Sequence, residues 1–134
     1  MANALYPKWK EQLLQFTTNN NLSSGTVKIA LIDTGTYTYS SAHQFWSSAS
    51  SAVVGTPQTL GSKTFTSGTF DAADVTYTAV SGASVEALII YIDTGVSATS
   101  PLVMYMDTGV TNLPVTPNGG DISITFNASG IFTL

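Results

Sequence analysis

Val85-Glu86-Ala87-Leu88-Ile89-Ile90-Tyr91-Ile92 is apolar at every position except Glu86, and it runs into Asp93-Thr94-Gly95. A short apolar run bounded by turn residues and rich in β-branched and aromatic side chains reads as a strand covered on both faces. Leu102-Val103-Met104-Tyr105-Met106 has the same character and runs into Asp107-Thr108-Gly109. These two segments therefore belong at the centre of a sheet. Further out, the pattern changes to strict alternation. Val27, Ile29 and Leu31 alternate with Lys28 and Ala30; Val75, Tyr77 and Ala79 with Thr76 and Thr78; Ile122, Ile124 and Phe126 with Ser123 and Thr125. A period of two predicts strands with one wet face. Ser-Gly-Ala-Ser at 81–84 is suited to closing a hairpin, and Pro117-Asn118-Gly119-Gly120 supplies residues that accept positive φ. Residues 40–51 read as either a short helical turn or an irregular loop. The fold class that follows is all-β, an antiparallel β-sandwich of about seven to nine strands.

The first residues read differently. Leu5, Trp9, Leu13 and Phe16 recur at the spacing of one helical face, Pro7 sits where a first turn tolerates it, and polar residues fill most other positions. The spacing predicts an amphipathic helix over about residues 5–16. A helix this short is unstable alone and must dock. Its apolar face has two open destinations, the domain's own sheet or a neighbouring subunit, which makes Leu5, Trp9, Leu13 and Phe16 the candidate partner-binding residues. Residues 17–25 form a polar linker. The organisation expected is an N-terminal helical arm and linker at 1–25 and a β-sandwich domain at 26–134. Removal of residues 1–24 is expected to leave a foldable β-domain.

At 134 residues the chain is about one domain long. Hydrophobic residues make up 43% and charged residues only 9%, so the chain can bury a core and lacks the signature of disorder. The polar remainder is hydroxylic: 20 threonines and 16 serines stand against 8 acids, 4 lysines and no arginine. With a net charge of -4 there is little to neutralise phosphates or read base edges, which argues against a nucleic-acid partner. The absence of cysteine removes disulfides, thiolate zinc sites and cysteine nucleophiles. No run approaches the roughly 18–20 apolar residues that span a bilayer, and the N-terminus lacks a leader's apolar core, so no membrane association is expected.

The motif Asp-Thr-Gly occurs after apolar residues at 33–35, 93–95 and 107–109. It resembles the signature of aspartic proteases, in which two such loops bring two carboxylates together. Where that family has Ser or Ala after the glycine, this chain has Thr36, Val96 and Val110. Strand-end turns explain the motif without catalysis, since Asp and Thr side chains bond nearby backbone donors and Gly reverses the chain. His43 is the only histidine, and no Gly-x-Ser-x-Gly elbow marks a serine for it to activate. Asp71 and Asp74 lack the ligand density of a calcium loop. No P-loop or dinucleotide fingerprint occurs, so neither a cofactor nor a metal is expected and the chain reads as non-enzymatic. Trp46, Tyr37, Tyr39, Tyr77, Tyr91 and Tyr105 could stack on sugar rings if exposed together, or could line the core and subunit contacts.

Taken together, several segments resemble a family of small bacteriophage virion structural proteins. They are the opening Met1-Ala2-Asn3-Ala4-Leu5-Tyr6, residues 27–35 with Tyr37 and Ala42-His43-Gln44-Phe45, Gly68-Thr69-Phe70-Asp71-Ala72-Ala73-Asp74-Val75-Thr76, residues 85–91, residues 113–122 and the tail at 130–134. The resemblance implies a non-enzymatic particle component located in the virion and assembled in the host cytoplasm. Within a particle, the expected role is a capsid cement or decoration protein that bridges capsomers of the major capsid protein, present as a homo-oligomer. The alternative is a tail, baseplate or fibre component with a carbohydrate-binding face.

Overall fold

The computed structural model describes residues 3–134 and is all-β and antiparallel, with one short α-helix. The main sheet contains β1 (Ala4–Leu5), β2 (Thr26–Ile32), β3 (Val53–Thr59), β6 (Ala87–Asp93) and β7 (Leu102–Met106), in the order β1-β7-β6-β2-β3. β6 is the middle strand and is buried from Ala87 to Ile92; its neighbour β7 is buried throughout. The two continuous apolar runs are thus central, as their sequence requires.

Register shows which residues share a face. Ile89 lies opposite Ala30 of β2 and Tyr105 of β7, so these three and Tyr91 face one side. Leu88, Ile90 and Ile92 face the other side with Leu31, Ile29 and Val27. The first side is covered by the connection from β2 to β3. There Trp46 stacks flat on Tyr91 at 4.2 Å, and Tyr37 and Tyr39 pack against Tyr105 at 6.3 and 5.4 Å. The stretch read as residues 40–51 supplies two short 3-10 turns, Trp46–Ser48 and Ser50–Ala52, the second ending one residue beyond it. On the second side Leu88 and Met106 line a crevice with Phe126 and Ile131.

That second side is not faced by one continuous sheet. Its strands are two separate ribbons, β4 (Thr69–Phe70) paired with β9 (Phe132–Thr133) and β5 (Val75–Tyr77) paired with β8 (Ile122–Ile124). The buried Tyr77 hydroxyl ties β5 to the main sheet by donating to the Ile29 carbonyl at 2.8 Å.

Three local expectations change. Residues 81–84 close no hairpin, because both edges of β6 are taken by β2 and β7 and β5 pairs instead with the distant β8. β2 has no wet face in its second half: Ala30 and Ile32 are fully buried, and Lys28 is half-buried with its ammonium 2.9 Å from Asp93. The helix, α1, spans Pro7–Leu14 rather than 5–16. Leu5 is instead part of β1, opposite Met104, and Phe16 lies past the helix end.

β3 forms one rim of the main sheet. Its pairing with β2 is interrupted between Ile29 and Leu31, where β3 holds Gly55 at φ 70° and Pro57, which has no N–H to offer. The opposite rim is β1, only two residues long.

Candidate functional site

The repeated tripeptides are strand-end turns. After β2, Asp33 accepts the Gly35 amide at 2.8 Å and the Thr36 hydroxyl at 3.0 Å, while the Thr34 amide and hydroxyl both donate to Glu86 at 2.9 Å. Burial pushes the Glu86 carboxyl up, but bonds from Ser84 and Thr34 outweigh it and hold the group below its usual range. At the end of β6, Asp93 accepts the Gly95 amide at 2.9 Å. After β7, the Asp107 and Thr108 amides donate to Asn3 Oδ1 at 2.8 and 3.0 Å, and Asn3 donates back to the Thr108 carbonyl.

These aspartates form no shared-proton pair. Because β2 and β6 run antiparallel, Asp33 and Asp93 lie at opposite ends of the sheet, roughly 24 Å apart at about 3.4 Å per residue. Asp33 and Asp107 share an end but follow β2 and β7, two strand spacings or about 10 Å apart. A protease dyad needs its carboxylates about 3 Å apart.

The other chemistry-bearing residues are tied to the backbone or the core. His43 Nδ1 lies 2.9 Å from the Tyr37 hydroxyl, which is 2.8 Å from the buried Tyr6 hydroxyl. Burial raises the Tyr6 and Tyr37 hydroxyls above the ordinary tyrosine range and pushes Tyr91 and Tyr105 up to about 12. Asp71 accepts the Ala72 amide and Asp74 the Phe126 amide, each at 2.8 Å. Among the described residues no group of three or more His, Asp or Glu side chains could hold a metal ion, and no helix is long and apolar enough to cross a membrane. Of the aromatic residues considered for sugar stacking, only Tyr39 is more than marginally exposed; Trp46, Tyr37, Tyr77, Tyr91 and Tyr105 are buried.

Of the large apolar side chains left exposed among the described residues, Phe16, Phe65 and Leu134 line one cavity at the end of α1, whereas Leu14 and Val96 do not. The helix closes in a reversing turn: the Phe16 amide donates to the Leu13 carbonyl and the Thr17 amide to the Gln12 carbonyl. This geometry puts Phe16 at φ 54°, the left-handed position usually held by glycine, at a cost of about 1–2 kcal/mol for a residue with a Cβ. Phe16 is nonetheless 96% exposed, so its ring recovers almost nothing by packing within its own chain. Beside it lies a cavity of about 410 Å³ lined by Trp9, Gln12, Leu13, Phe16, Phe65 and Leu134 together with polar residues between Thr17 and Ser23. Phe65 and Leu134 are themselves partly exposed, and Leu14, one residue past Leu13, is 86% exposed.

The four residues chosen from helical spacing therefore separate. Trp9 is 1% exposed and meets the Phe132 ring edge-on at 5.8 Å, so the structure docks it on its own domain. Leu5 and Leu13 are half-buried against the core. Phe16 alone stands outside, and it is joined around the cavity by Phe65 and Leu134, which the periodicity does not select because they lie far along the chain. Two buried polar atoms in the cavity's lining residues, Trp9 Nε1 and Asn20 Oδ1, have no hydrogen-bond partner. Residues 1–24 thus contribute a sheet edge and two fully buried aromatics, Tyr6 and Trp9, and their deletion would remove core along with any anchor. Compared with known proteins, the chain matches no family model and no curated protein.

Proposed function

We propose that the protein is a bacteriophage virion structural component, a capsid cement or decoration protein that sits in many copies on the major capsid protein and bridges adjacent capsomers. The observation that carries this reading is the contrast on its surface: a hydroxyl-rich, charge-poor exterior with one concentrated apolar patch at the end of α1. Monomeric soluble proteins rarely leave a contiguous apolar patch of this kind without a binding role. A surface with few charges lets copies approach closely on a lattice without strong mutual repulsion. The chain's polar clusters are engaged in turns and backbone bonds, which suits a static component better than a catalyst.

The test is the stoichiometry of the protein in purified particles by quantitative mass spectrometry. Cement predicts hundreds of copies per particle. A few dozen copies or fewer would move the protein to the tail or baseplate, and its absence from particles would overturn the virion reading. The sugar-binding form of the tail alternative loses its support in the burial of the aromatic residues.

A further inference from the structure

We infer that the apolar patch at the end of α1 is a self-association surface through which two copies of this chain pair about a two-fold axis, each placing Phe16 in the other's cavity. Phe16 and the cavity adjoin, since Phe16 forms part of the cavity's rim. A protrusion beside its own matching recess is the arrangement that an isologous pair requires, because one rotation then fills both recesses. The sizes agree: a cavity of about 150 Å³ already accommodates benzene, and this one measures about 410 Å³.

The area also approaches what a specific pair needs. Phe16 is 96% exposed and offers nearly all of the roughly 150–250 Å² that an aromatic side chain can bury. With Leu134 at 68% and Phe65 at 42% exposure on the same lining, the patch presents on the order of 400 Å². Two such patches remove roughly 800 Å² from water, and the polar lining beside them, Gln12, Thr17 and Asn21 among it, carries the total toward the about 1,000 Å² that a specific interface needs.

The lining chemistry favours an identical copy over a partner of different charge. No lysine, aspartate or glutamate lines the cavity, so a two-fold axis there sets no lining charge against its own copy. Its polar residues, among them Gln12, Thr17 and Asn21, carry amides and hydroxyls that both donate and accept, so each can bond to a copy of itself.

The pairing requires nothing of the virion reading, and its test uses the purified full chain. Sedimentation across a concentration series should give wild type a mass twice the 14.0 kDa of one chain. Phe16→Gly removes the ring and suits the left-handed backbone, so it should keep the wild-type circular dichroism and thermal midpoint or exceed it, while weakening the pair at least roughly tenfold. Phe65→Ser, in the lining of the same cavity, should weaken it as well. Wild type that sediments as a monomer at about 100 µM, a closed trimer or larger ring, or a Phe16→Gly variant that pairs as tightly as wild type would each overturn the inference. A monomeric wild type whose Phe16→Gly variant is lost from particles would instead assign the patch to the capsid protein.

Discussion

Asp93 closes β6 with both carboxylate oxygens engaged, Oδ2 at 2.9 Å from the Lys28 ammonium and Oδ1 accepting the Gly95 amide. The bond from Lys28, followed by that from the Gly95 amide, holds its carboxyl below the usual aspartate range. A depressed folded-state value means the carboxylate stabilises the protein above the unfolded value near pH 4 and loses that contribution as pH falls through the folded value. Urea midpoints should therefore drop between pH 5 and pH 2.5, and Asp93→Asn should flatten part of that drop; an unchanged profile in the variant would count against the assignment. The turn role of Asp-Thr-Gly is legible in the sequence because it depends on local side-chain reach. Its partners are not: Thr34 is fastened to Glu86, and the turn at 107–108 is clipped by Asn3, contacts that span more than fifty residues of chain.

At the scale of elements, α1 is held by its aromatic contacts rather than by its own backbone. Trp9 meets Phe132, which in turn packs on Phe70 at 5.4 Å, so one helical side chain joins α1 to the β4–β9 ribbon. Trp9→Ala should cost about 3–5 kcal/mol in denaturant unfolding, as large aromatic-to-alanine changes in a core do. A cost below about 1 kcal/mol would mean that α1 is only loosely attached. Periodicity revealed this helix because Trp9 and Leu13 share its buried stripe, yet Leu5 fits the same spacing and proves to be a strand residue. Helical spacing and a two-residue strand cannot be separated at one position when the pairing partner, Met104, lies about a hundred residues away. The unformed hairpin at 81–84 has the same cause. Turn chemistry permits the reversal, but which strands pair is decided by competition for the edges of β6.

For the whole molecule, the scarcity of charge has a measurable consequence. The ion pairs between side chains of the described residues are Lys8–Glu11 on the helix surface and Lys28–Asp93 on the sheet. Neither is deeply buried, so screening them removes little. Raising sodium chloride from about 50 to 500 mM should shift the thermal midpoint by no more than about 2 °C, given the short screening lengths over this range. A much larger shift would point to an electrostatic network absent from this structure. The all-β class was readable because composition and period-two patterns act over the whole chain. The layout of the second side was not: where the sequence suggested the second sheet of a sandwich there are two separate ribbons, whose division depends on pairings such as Phe70 with Phe132 and Tyr77 with Ile122.

The broken rim of β3 sets a limit on growth. At the concentrations reached when many copies gather in one place, an unbroken sheet edge would let each molecule recruit the next without end, and the product would be a fibre. With Gly55 turned out of extended conformation and Pro57 unable to donate, that edge offers no continuous row of partners. Crowding can then raise the occupancy of the molecule's specific contacts without opening a route to polymerisation along the sheet.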